Sequence, residues 1–435
     1  MGSLKAGFSR IDITPPLGIY LSGYYEPRQA EGQLDPLLAS ALAVSDDNET
    51  ALLFSVDVIG IKQDVLNGMR ERIAAACGLC RSQVFVACTH IHTGPEMSGR
   101  LFPVDPVYNE RFEHLLAQAG VAAISDLKPA TLLTARGTAP GISFIRRFRM
   151  KDGTVRTNPG VHNPDVVSPI GTPDETVQLV RIQRENAPEI VLVNFQVHPD
   201  VVSGSLFTAD YIGFVRRTLE GALGDVRCLY FNGAQGDVNH IDIHREPGPY
   251  KSYAHARHMG QVIAGGVLQV YAKAKPVASD SVATSETTLF VETNKGDPSQ
   301  YPQARRIIEL HDSGRVDEIP ETGMGVTTLV AEAHRMLRLA DGPDHLALNI
   351  TAVRFGAVCI AGIPGEPFTG IGRGIKERSP CAMQIVCCCA NGYEGYYPMQ
   401  EAYDEGGYEA RSSSFKPGVA EKLIEASIAN IRGIC

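Results

Sequence analysis

Apolar residues occur along this chain in short runs, and between these runs they recur at a helical spacing. The short runs are rich in β-branched residues, which is typical of buried strands, whereas the spaced residues suit the buried face of helices. The pattern predicts strands at residues 38–44, 50–58, 84–88, 131–137, 176–182, 189–197, 228–231, 347–355, 357–363 and 384–389. It predicts helices at residues 64–76, 109–123, 211–223, 252–273, 369–377 and 417–431.

This alternation of strands and helices predicts an α/β fold, with a mixed β-sheet core flanked by helices and an active site at the C-terminal ends of the strands. Residues 293–345 differ, because they are polar and helical without an obvious core pattern of their own. We predict that this segment is a helical arm or lid. No repeat or low-complexity linker is found, so residues 1–435 are interpreted as a single large domain.

Composition and charge narrow the function classes. The 435 residues carry a formal net charge of −9, with 44% hydrophobic and 20% charged residues. A mildly acidic chain without a basic run does not suit nucleic-acid binding. No apolar run is long enough to span a bilayer, so we expect no stable membrane insertion. A small-molecule substrate is expected, and association into a homo-oligomer stays open.

The cysteines and the N-terminus favour a cytoplasmic location. The first residues contain no apolar signal sequence, and the ten cysteines are not spaced as a disulfide framework. Cys77 and Cys80 have CxxC spacing, but no second CxxC and no neighbouring histidine accompanies them. Buried thiols of a helix are therefore the simpler interpretation of that pair.

Candidate chemistry begins directly after the strand at residues 84–88. His90 and His92 follow this strand, and a Gly-Pro turn at residues 94–95 ends the segment. In an extended chain, side chains two positions apart face the same side, and neutral imidazole is a common zinc ligand. Two solvated histidines at the end of a strand would give the same pattern, so this pair alone does not distinguish a metal site from solvated side chains.

Polar side chains that could take part in chemistry also follow other predicted strands. The candidates are His198 after residues 189–197, Asp237 and Asn239 after 228–231, Glu366 after 357–363, and Tyr393, Tyr396 and Tyr403 after 384–389. Ligands gather at the carboxyl ends of strands in open α/β sheets, so these side chains are expected to share one crevice.

Taken in order, these segments resemble the catalytic domain of the neutral/alkaline, non-lysosomal ceramidase family, whose members are zinc-dependent amidases. Residues 89–95 (Thr-His-Ile-His-Thr-Gly-Pro) are similar to the family's Thr-His-Thr-His-Ser-Gly-Pro, and residues 194–198 to its Asn-Phe-Ala-x-His. Residues 210–213 resemble Asp-Asn-x-Gly, and residues 365–369 resemble Gly-Glu-Phe-Thr. Residues 391–409 follow the family's Asn-x-Tyr-x-x-Tyr, Glu-Glu-Tyr and Tyr-Glu in the same order.

The resemblance covers about residues 5 to 410 and implies a ceramidase-like metal-hydrolase domain with one zinc ion per chain. The implied zinc ligands are His90, His198, Glu366 and Tyr403. His92 is implied to lie in the substrate pocket. The family also has an arginine that faces the substrate, and the candidates for it here are Arg146, Arg147 and Arg149.

The chain departs from the family's pattern in two places. The family's Asn-x-Gly-Asp-x-Ser-Pro-Asn loop places a serine at the active site, whereas residues 232–240 carry Asn239 in that place. A step that depends on the serine is therefore ruled out, and Asn239 is either an oxyanion donor or the cap of its turn. We also expect no counterpart of the family's C-terminal immunoglobulin-like domain. Both departures point away from ceramide and towards a smaller, soluble substrate.

These implications favour a zinc-dependent amidohydrolase that cleaves the carbon–nitrogen bond of a small soluble amide with zinc-activated water. His92 is the first candidate for proton delivery to the leaving group, with simple orientation by hydrogen bonding as the alternative. Two other functions stay open. One is a lactone or ester hydrolase that uses the same zinc site, and the other is a non-catalytic zinc-containing binding protein.

Overall fold

Helices and strands alternate along the computed structural model, which describes residues 4–99, 101–246 and 248–435. Within these residues the helices are α1 Gln63–Cys77, α2 Pro106–Ser125, α3 Asp210–Leu223, α4 Tyr253–Tyr271, α5 Tyr301–Asp312, α6 Met324–Leu339, α7 Thr369–Arg378, α8 Gln400–Glu405, α9 Tyr408–Ser412 and α10 Val419–Arg432. The strands are β1 Lys5–Asp12, β2 Gly32–Gln33, β3 Leu38–Ser45, β4 Thr50–Val56, β5 Val84–Cys88, β6 Lys128–Thr138, β7 Phe144–Ile145, β8 Arg147–Met150, β9 Val155–Thr157, β10 Val166–Pro169, β11 Thr176–Arg184, β12 Glu189–Phe195, β13 Leu206–Phe207, β14 Val226–Asn232, β15 Val238–Asn239, β16 Lys275–Val277, β17 Val282–Glu292, β18 His345–Phe355, β19 Val358–Gly362, β20 Glu366–Pro367, β21 Met383–Cys387 and β22 Tyr396–Tyr397.

Most of these strands form two sheets that pack face to face. The larger sheet has the order β14-β12-β11-β6-β1-β3-β4-β5, with β16 beside β6, and the pairs β12–β14 and β4–β5 are parallel. The smaller sheet has the order β17-β18-β19-β21, with β19 and β21 parallel. Phe85 and Phe231 of the larger sheet share one buried apolar cluster with Phe355 and Ile360 of the smaller sheet. The predicted mixed α/β architecture is confirmed, and its core contains two sheets.

Helices cover the outer faces of both sheets. Helices α1 to α4 pack against the larger sheet, where Leu66 and Phe112 belong to the same cluster as Phe54 of β4. Helices α7 and α10 pack against the smaller sheet with Ile371 and Leu423. The strands between the layers are therefore buried on both faces, which explains why their sequences are continuous apolar runs and do not alternate with polar residues.

The N-terminus of α2 shows how a local signal sets an element boundary. The apolar spacing predicts a helix from residue 109, but the helix begins at Pro106. Asp105 caps it, because its side chain accepts a hydrogen bond from the backbone N–H of Tyr108 at 2.9 Å. Proline suits the first helical position, since the N–H that it lacks would have no partner there.

Residues 293–345 contain helices α5 and α6, which pack on each other. Their contact buries Ile307, Leu310 and Val330 in a small apolar cluster that the polar sequence did not indicate. Tyr25 of the main body stacks on His334 of α6, with the ring centroids 5.5 Å apart. The segment therefore contacts the main body, and its action as a lid stays a prediction.

Among the described residues, no helix combines the length and the apolar character that crossing a membrane would require.

A buried ion pair fixes the backbone that leads into the candidate site. Arg216 on α3 donates hydrogen bonds to both carboxylate oxygens of Asp57, at 3.0 and 2.5 Å. The same carboxylate accepts from the backbone N–H of Leu38 at 2.9 Å and from the hydroxyl of Thr89 at 3.3 Å. Thr89 directly precedes His90, so this ion pair holds the end of β5 in place.

Loss of the guanidinium should destabilise the fold. Arg216→Met leaves the Asp57 carboxylate buried without its charge partner, so we expect a loss of about 3–5 kcal/mol in the free energy of unfolding, measured with urea. Arg227→Met, at an exposed position of β14, is the matched control and should cost less than about 0.5 kcal/mol. Equal losses in the two variants would contradict the role of the ion pair.

Candidate metal centre

Three segments that are distant in sequence bring His90, His92, His198 and Glu366 together. One nitrogen from each imidazole lies within 4.8 Å of the others, and all three rings are buried. Glu366 Oε2 lies 3.2 Å from His90 Nε2 and 3.8 Å from His198 Nδ1. His92 Nε2 lies 3.1 Å from His198 Nε2. The structure therefore brings these four sequence-predicted residues into one cluster.

Asn232 at the end of β14 connects the two backbone segments that carry the histidines. Its side-chain amide lies 3.4 Å from the carbonyl oxygen of Thr89 and 3.4 Å from that of Val197. These carbonyls directly precede His90 and His198. One asparagine therefore links the segments that follow β5 and β12 to the end of β14. The three strand ends lie in one crevice, as the sequence predicts.

His90 has a fixed backbone and a fixed ring orientation. The strand ends at Cys88, and His90 has a φ of 71°, a left-handed conformation that is uncommon for residues other than glycine. The pair is therefore not an extended chain, as the sequence argument assumed, although the rings of His90 and His92 still lie 5.3 Å apart. His90 Nδ1 lies 2.8 Å from the carbonyl oxygen of Ile59 and must donate to it, which leaves the Nε2 lone pair directed at Glu366.

Two ring nitrogens of this cluster, Nδ1 of His92 and Nδ1 of His198, have no hydrogen-bond partner among the described residues. Most buried polar atoms have a partner, so these two atoms indicate a ligand site. Burial and the neighbouring His90 lower the pKa of His92 to about 3, and burial and Arg146 lower the pKa of His198. Both rings are therefore neutral at neutral pH, which is the form that binds a metal. The three histidines could hold a metal ion.

Glu366 supplies the negative charge of the cluster. Burial raises the pKa of this carboxyl group, but His90 and His198 outweigh burial and lower the pKa well below its usual range. The hydroxyl of Tyr393 donates to Oε1 at 2.8 Å, and the amide of Gln235 lies 3.3 Å from Oε2. An ionised carboxylate beside neutral imidazoles is a ligand set that suits zinc.

The tyrosines beside Glu366 are Tyr393 and Tyr396. Parallel pairing of β20 with β22 places Tyr396 opposite Glu366, and burial and the Glu366 charge raise the pKa of Tyr396 well above its usual value. Tyr403 has different neighbours, because it lies on α8, where its ring packs against the apolar cluster under α10 and its hydroxyl lies 3.1 Å from Ser413 Oγ. Tyr403 as a metal ligand stays a prediction, and Tyr393 and Tyr396 are the tyrosines that the structure places beside Glu366.

Arg146 is the member of the arginine cluster that reaches the site. Its Nε lies 2.7 Å from the buried carboxylate of Glu409, and its Nη2 donates to the carbonyl oxygen of Gly236 at 2.7 Å. Its guanidinium carbon lies 5.3 Å from the ring centroid of Tyr396. Glu409 belongs to the Tyr-Glu motif of the resemblance, but the sequence assigns it no role, because an acidic residue of a short helix carries no signal of burial.

Arg147 and Arg149 have other partners. Both donate hydrogen bonds to the carboxylate of Glu405, at 3.2 and 2.9 Å. Arg147 also donates to the carbonyl oxygen of Gly406 at 3.0 Å, and Arg149 is partly exposed. These two arginines hold the loop after α8 and contact none of the clustered histidines through the hydrogen bonds and ion pairs described.

Asn239 lies in β15, and both polar atoms of its side chain have partners. Oδ1 accepts from the backbone N–H of Ile241 at 3.0 Å, and Nδ2 donates to Asn158 Oδ1 at 2.9 Å. Of the two interpretations left open by the sequence, these bonds favour the cap of a turn. The neighbouring Asp237 has a similar role, because its carboxylate accepts from the backbone and the hydroxyl of Thr369 at the start of α7.

A pocket with a cavity volume of about 90 Å³ lies beside the cluster. Its lining includes His90 and His92 together with Tyr24, Lys62, Tyr393 and Tyr396. The ring of Tyr24 lies edge-on to that of His92, with the centroids 5.4 Å apart. Its hydroxyl is buried and has no hydrogen-bond partner among the described residues. Burial and the nearby Asp200 raise the pKa of Tyr24, so this hydroxyl stays a donor.

Nothing in the sequence singles out Tyr24, since a tyrosine in a loop is common. The adjacent glycine shows in the structure how closely this loop is packed. Gly23 has a φ of 110°, and a Cβ atom built there would lie 2.5 Å from His92 Nδ1. Only glycine fits this position without a shift of the ring, so the loop is packed directly on His92.

Comparison with solved structures finds the same fold in neutral ceramidases. The crystal structure of neutral ceramidase from Pseudomonas aeruginosa aligns with a TM-score of 0.75 at 14% sequence identity, over 100% of this chain and 75% of that chain. A structure of ceramidase complexed with C2 aligns with a TM-score of 0.75 at 15% identity, with the same coverage. No family model and no curated protein matches the sequence. The resemblance drawn from the sequence motifs is confirmed at the level of the fold.

Substitutions should identify the metal ligands. We expect about one zinc ion per chain after dialysis, by elemental analysis, and near-complete loss in His198→Ala and Glu366→Ala, since each removes a ligand atom. Tyr403→Phe and the exposed control His114→Ala should keep the metal, and comparison of Tyr393→Phe with Tyr396→Phe should identify the tyrosine that contributes. Metal loss in Tyr403→Phe equal to that in His198→Ala would contradict the assignment.

Proposed function

We propose that this protein is a zinc-dependent hydrolase that cleaves the amide bond of a small soluble substrate. The observation that carries the proposal is the buried cluster of His90, His92, His198 and Glu366, with unpartnered imidazole nitrogens beside a pocket. The fold shared with neutral ceramidases supports amide cleavage, because a ceramidase by name cleaves an amide.

The residues that would hold the zinc ion are His90, His198 and Glu366, with Tyr393 or Tyr396 beside them. Two imidazoles and one carboxylate form a ligand set found in catalytic zinc sites. When bound, the ion would supply a Lewis acid for the substrate carbonyl and lower the pKa of a coordinated water to about 7. One ion per chain is expected, because His90, His198 and Glu366 lie together in a single group.

His92 is the residue we assign to proton transfer. It lines the pocket, and its Nδ1 has no hydrogen-bond partner among the described residues. A neutral imidazole can accept a proton from the attacking water and deliver it to the leaving amine. Its position next to His198 also fits a metal ligand, and the substitution described below separates the two roles.

Tyr24 is the residue we assign to the developing negative charge on the substrate oxygen. Its hydroxyl is buried, unpartnered and protonated, which is what a preorganised oxyanion donor requires. Asn239 is less suited, since its amide already donates to Asn158. Arg146 does not need to contact the substrate, because its charge is used to orient Tyr396 and Glu409.

The size of the cavity supports a small substrate. Its volume of about 90 Å³ is well below the roughly 300–1,000 Å³ typical of pockets for drug-sized ligands. A short acyl or amine group fits such a space, whereas two long hydrocarbon chains do not.

We keep the cytoplasm as the proposed location. The free, buried thiols of the consecutive Cys387, Cys388 and Cys389 are consistent with it.

A second candidate reaction is the hydrolysis of a lactone or ester at the same site. It is favoured by the absence of a nucleophilic serine at position 239, since water can attack such carbonyls without a covalent intermediate. A panel of short N-acyl amines and lactones would decide between the two reactions. Bound zinc with no turnover of either class would favour a binding protein.

Tyr24→Phe should separate substrate chemistry from metal binding. Removal of one hydroxyl should lower kcat/KM about 10²–10³-fold, as expected for a lost oxyanion donor, with the zinc content unchanged. Tyr271→Phe, at the end of α4 where the hydroxyl donates to Glu189, is the matched control and should keep full activity. An unchanged kcat/KM in Tyr24→Phe would contradict this role.

His92→Ala should lower turnover about 10²–10⁴-fold, the usual cost of a lost acid–base group. We expect zinc content and the midpoint of thermal unfolding to stay close to those of the parent protein, because His90, His198 and Glu366 remain. Elemental analysis and steady-state kinetics on the same preparation check this. A variant that loses zinc together with activity would make His92 a metal ligand.

A further inference from the structure

Three cysteines from separate parts of the chain meet on the outer side of the smaller sheet. Cys359 lies near the start of β19, Cys381 lies just before β21, and Cys435 follows α10. The sulfurs of Cys381 and Cys435 are 2.6 Å apart, and both residues carry free thiols. Cys359 is buried beneath them and interacts with both thiols. The candidate metal centre lies beyond the other end of β19, so this thiol cluster is a separate site.

The three thiols differ in exposure and in protonation. Cys435 is exposed, and a hydrogen bond with Cys359, aided by the charge of Arg354, lowers the pKa of Cys435 to about 6. The interaction with Cys381 raises the pKa of Cys359 well above its usual value, so Cys359 stays a thiol. A thiolate is the nucleophile in disulfide exchange, and an accessible one beside a cation is the reactive kind. Unlike the exposed Cys435, Cys387 is buried, and burial raises the pKa of its thiol.

Arg354 on β18 also holds the segment that carries Cys435. Its Nε donates to the carbonyl oxygen of Ile434, and its Nη1 donates to Ser281 Oγ at 2.8 Å. Cys381 is fixed in turn, because its backbone N–H donates to Ser379 Oγ at 3.2 Å. The contact between the two sulfurs therefore joins two anchored segments.

We propose that Cys381 and Cys435 form a reversible disulfide, and that this thiol cluster reacts with small-molecule disulfides. A shared metal ion is less suited to the geometry, since two thiolates bound to one ion repel each other and do not approach inside van der Waals contact. The bond would fasten the segment after α10 to the segment before β21, at the edge of the smaller sheet.

The exchange proceeds in two steps. The Cys435 thiolate attacks one sulfur of the small disulfide, which forms a mixed disulfide and releases one small thiolate. The Cys381 thiolate then attacks the Cys435 sulfur, forms the protein disulfide and releases the second small thiolate. The two protein thiols are oxidised, the small disulfide is reduced to two thiols, and the two protons from the protein end on those thiols. The reverse reaction uses the same steps in the opposite order, with the small thiolate as the attacking group.

The test is peptide mapping of the full-length, metal-loaded protein after treatment with oxidised glutathione. On oxidation of the reduced protein, its intact mass should fall by the mass of two hydrogen atoms. Digestion under non-reducing conditions should then yield one cross-link that joins the peptides of Cys381 and Cys435. The midpoint of thermal unfolding should rise by on the order of 5 °C relative to the reduced protein, because the bond closes a long loop. Hydrolytic turnover is not needed as a readout, so the outcome is independent of the proposed function.

Matched cysteine variants test which thiols form the cross-link. Cys435→Ser and Cys381→Ser should show neither the protein cross-link nor the thermal shift, whereas Cys80→Ser, which removes an exposed thiol elsewhere, should behave as the parent protein. The proposal is overturned if glutathione remains attached to Cys435 in the parent protein, or if a cross-link forms through Cys359 instead. Zinc held by the three cysteines and lost on Cys435→Ser would also overturn it.

Discussion

The structure depends on the burial of one ionised carboxylate, that of Glu366. A charge removed from water is tolerated only when partners surround it, and Glu366 has His90 Nε2 at 3.2 Å and the Tyr393 hydroxyl at 2.8 Å. These partners come from the end of β5 and from the loop after β21, so the carboxylate ties the larger sheet to the smaller one. The segments that follow β5 and β21 meet at this carboxylate, and the candidate metal centre is therefore also a structural junction.

Much of the site was predictable from the sequence, because its residues follow strands with strong apolar signals. His90, His92, His198 and Glu366 each stand directly after such a run, and the structure brings all four together. Tyr396 and Tyr403 could not be separated in this way, since both belong to one tyrosine-rich segment. The difference is set by pairing: β22 places Tyr396 opposite Glu366, whereas the turn of α8 directs Tyr403 into the cluster under α10.

Other features could not be predicted from the sequence, because they depend on how distant segments of the chain pack together. The apolar runs identify buried strands but carry no information about which strands share a sheet, so the division into two sheets was not predictable. The charge partners Arg146–Glu409 and Asp57–Arg216 lie far apart in the chain, and only the packing of the layers brings them together. Tyr24 and the thiol cluster are recognisable only from the contacts of their side chains, at 5.4 Å to His92 and 2.6 Å between sulfurs.

We propose that the buried histidines and Glu366 hold a zinc ion beside the pocket. Diffraction data collected on crystals of the purified protein on both sides of the zinc absorption edge test it most directly. The account predicts one anomalous peak per chain, within coordination distance of His90 Nε2, His198 and Glu366. A well-ordered site with no peak there, or a peak held by other side chains, would contradict the account.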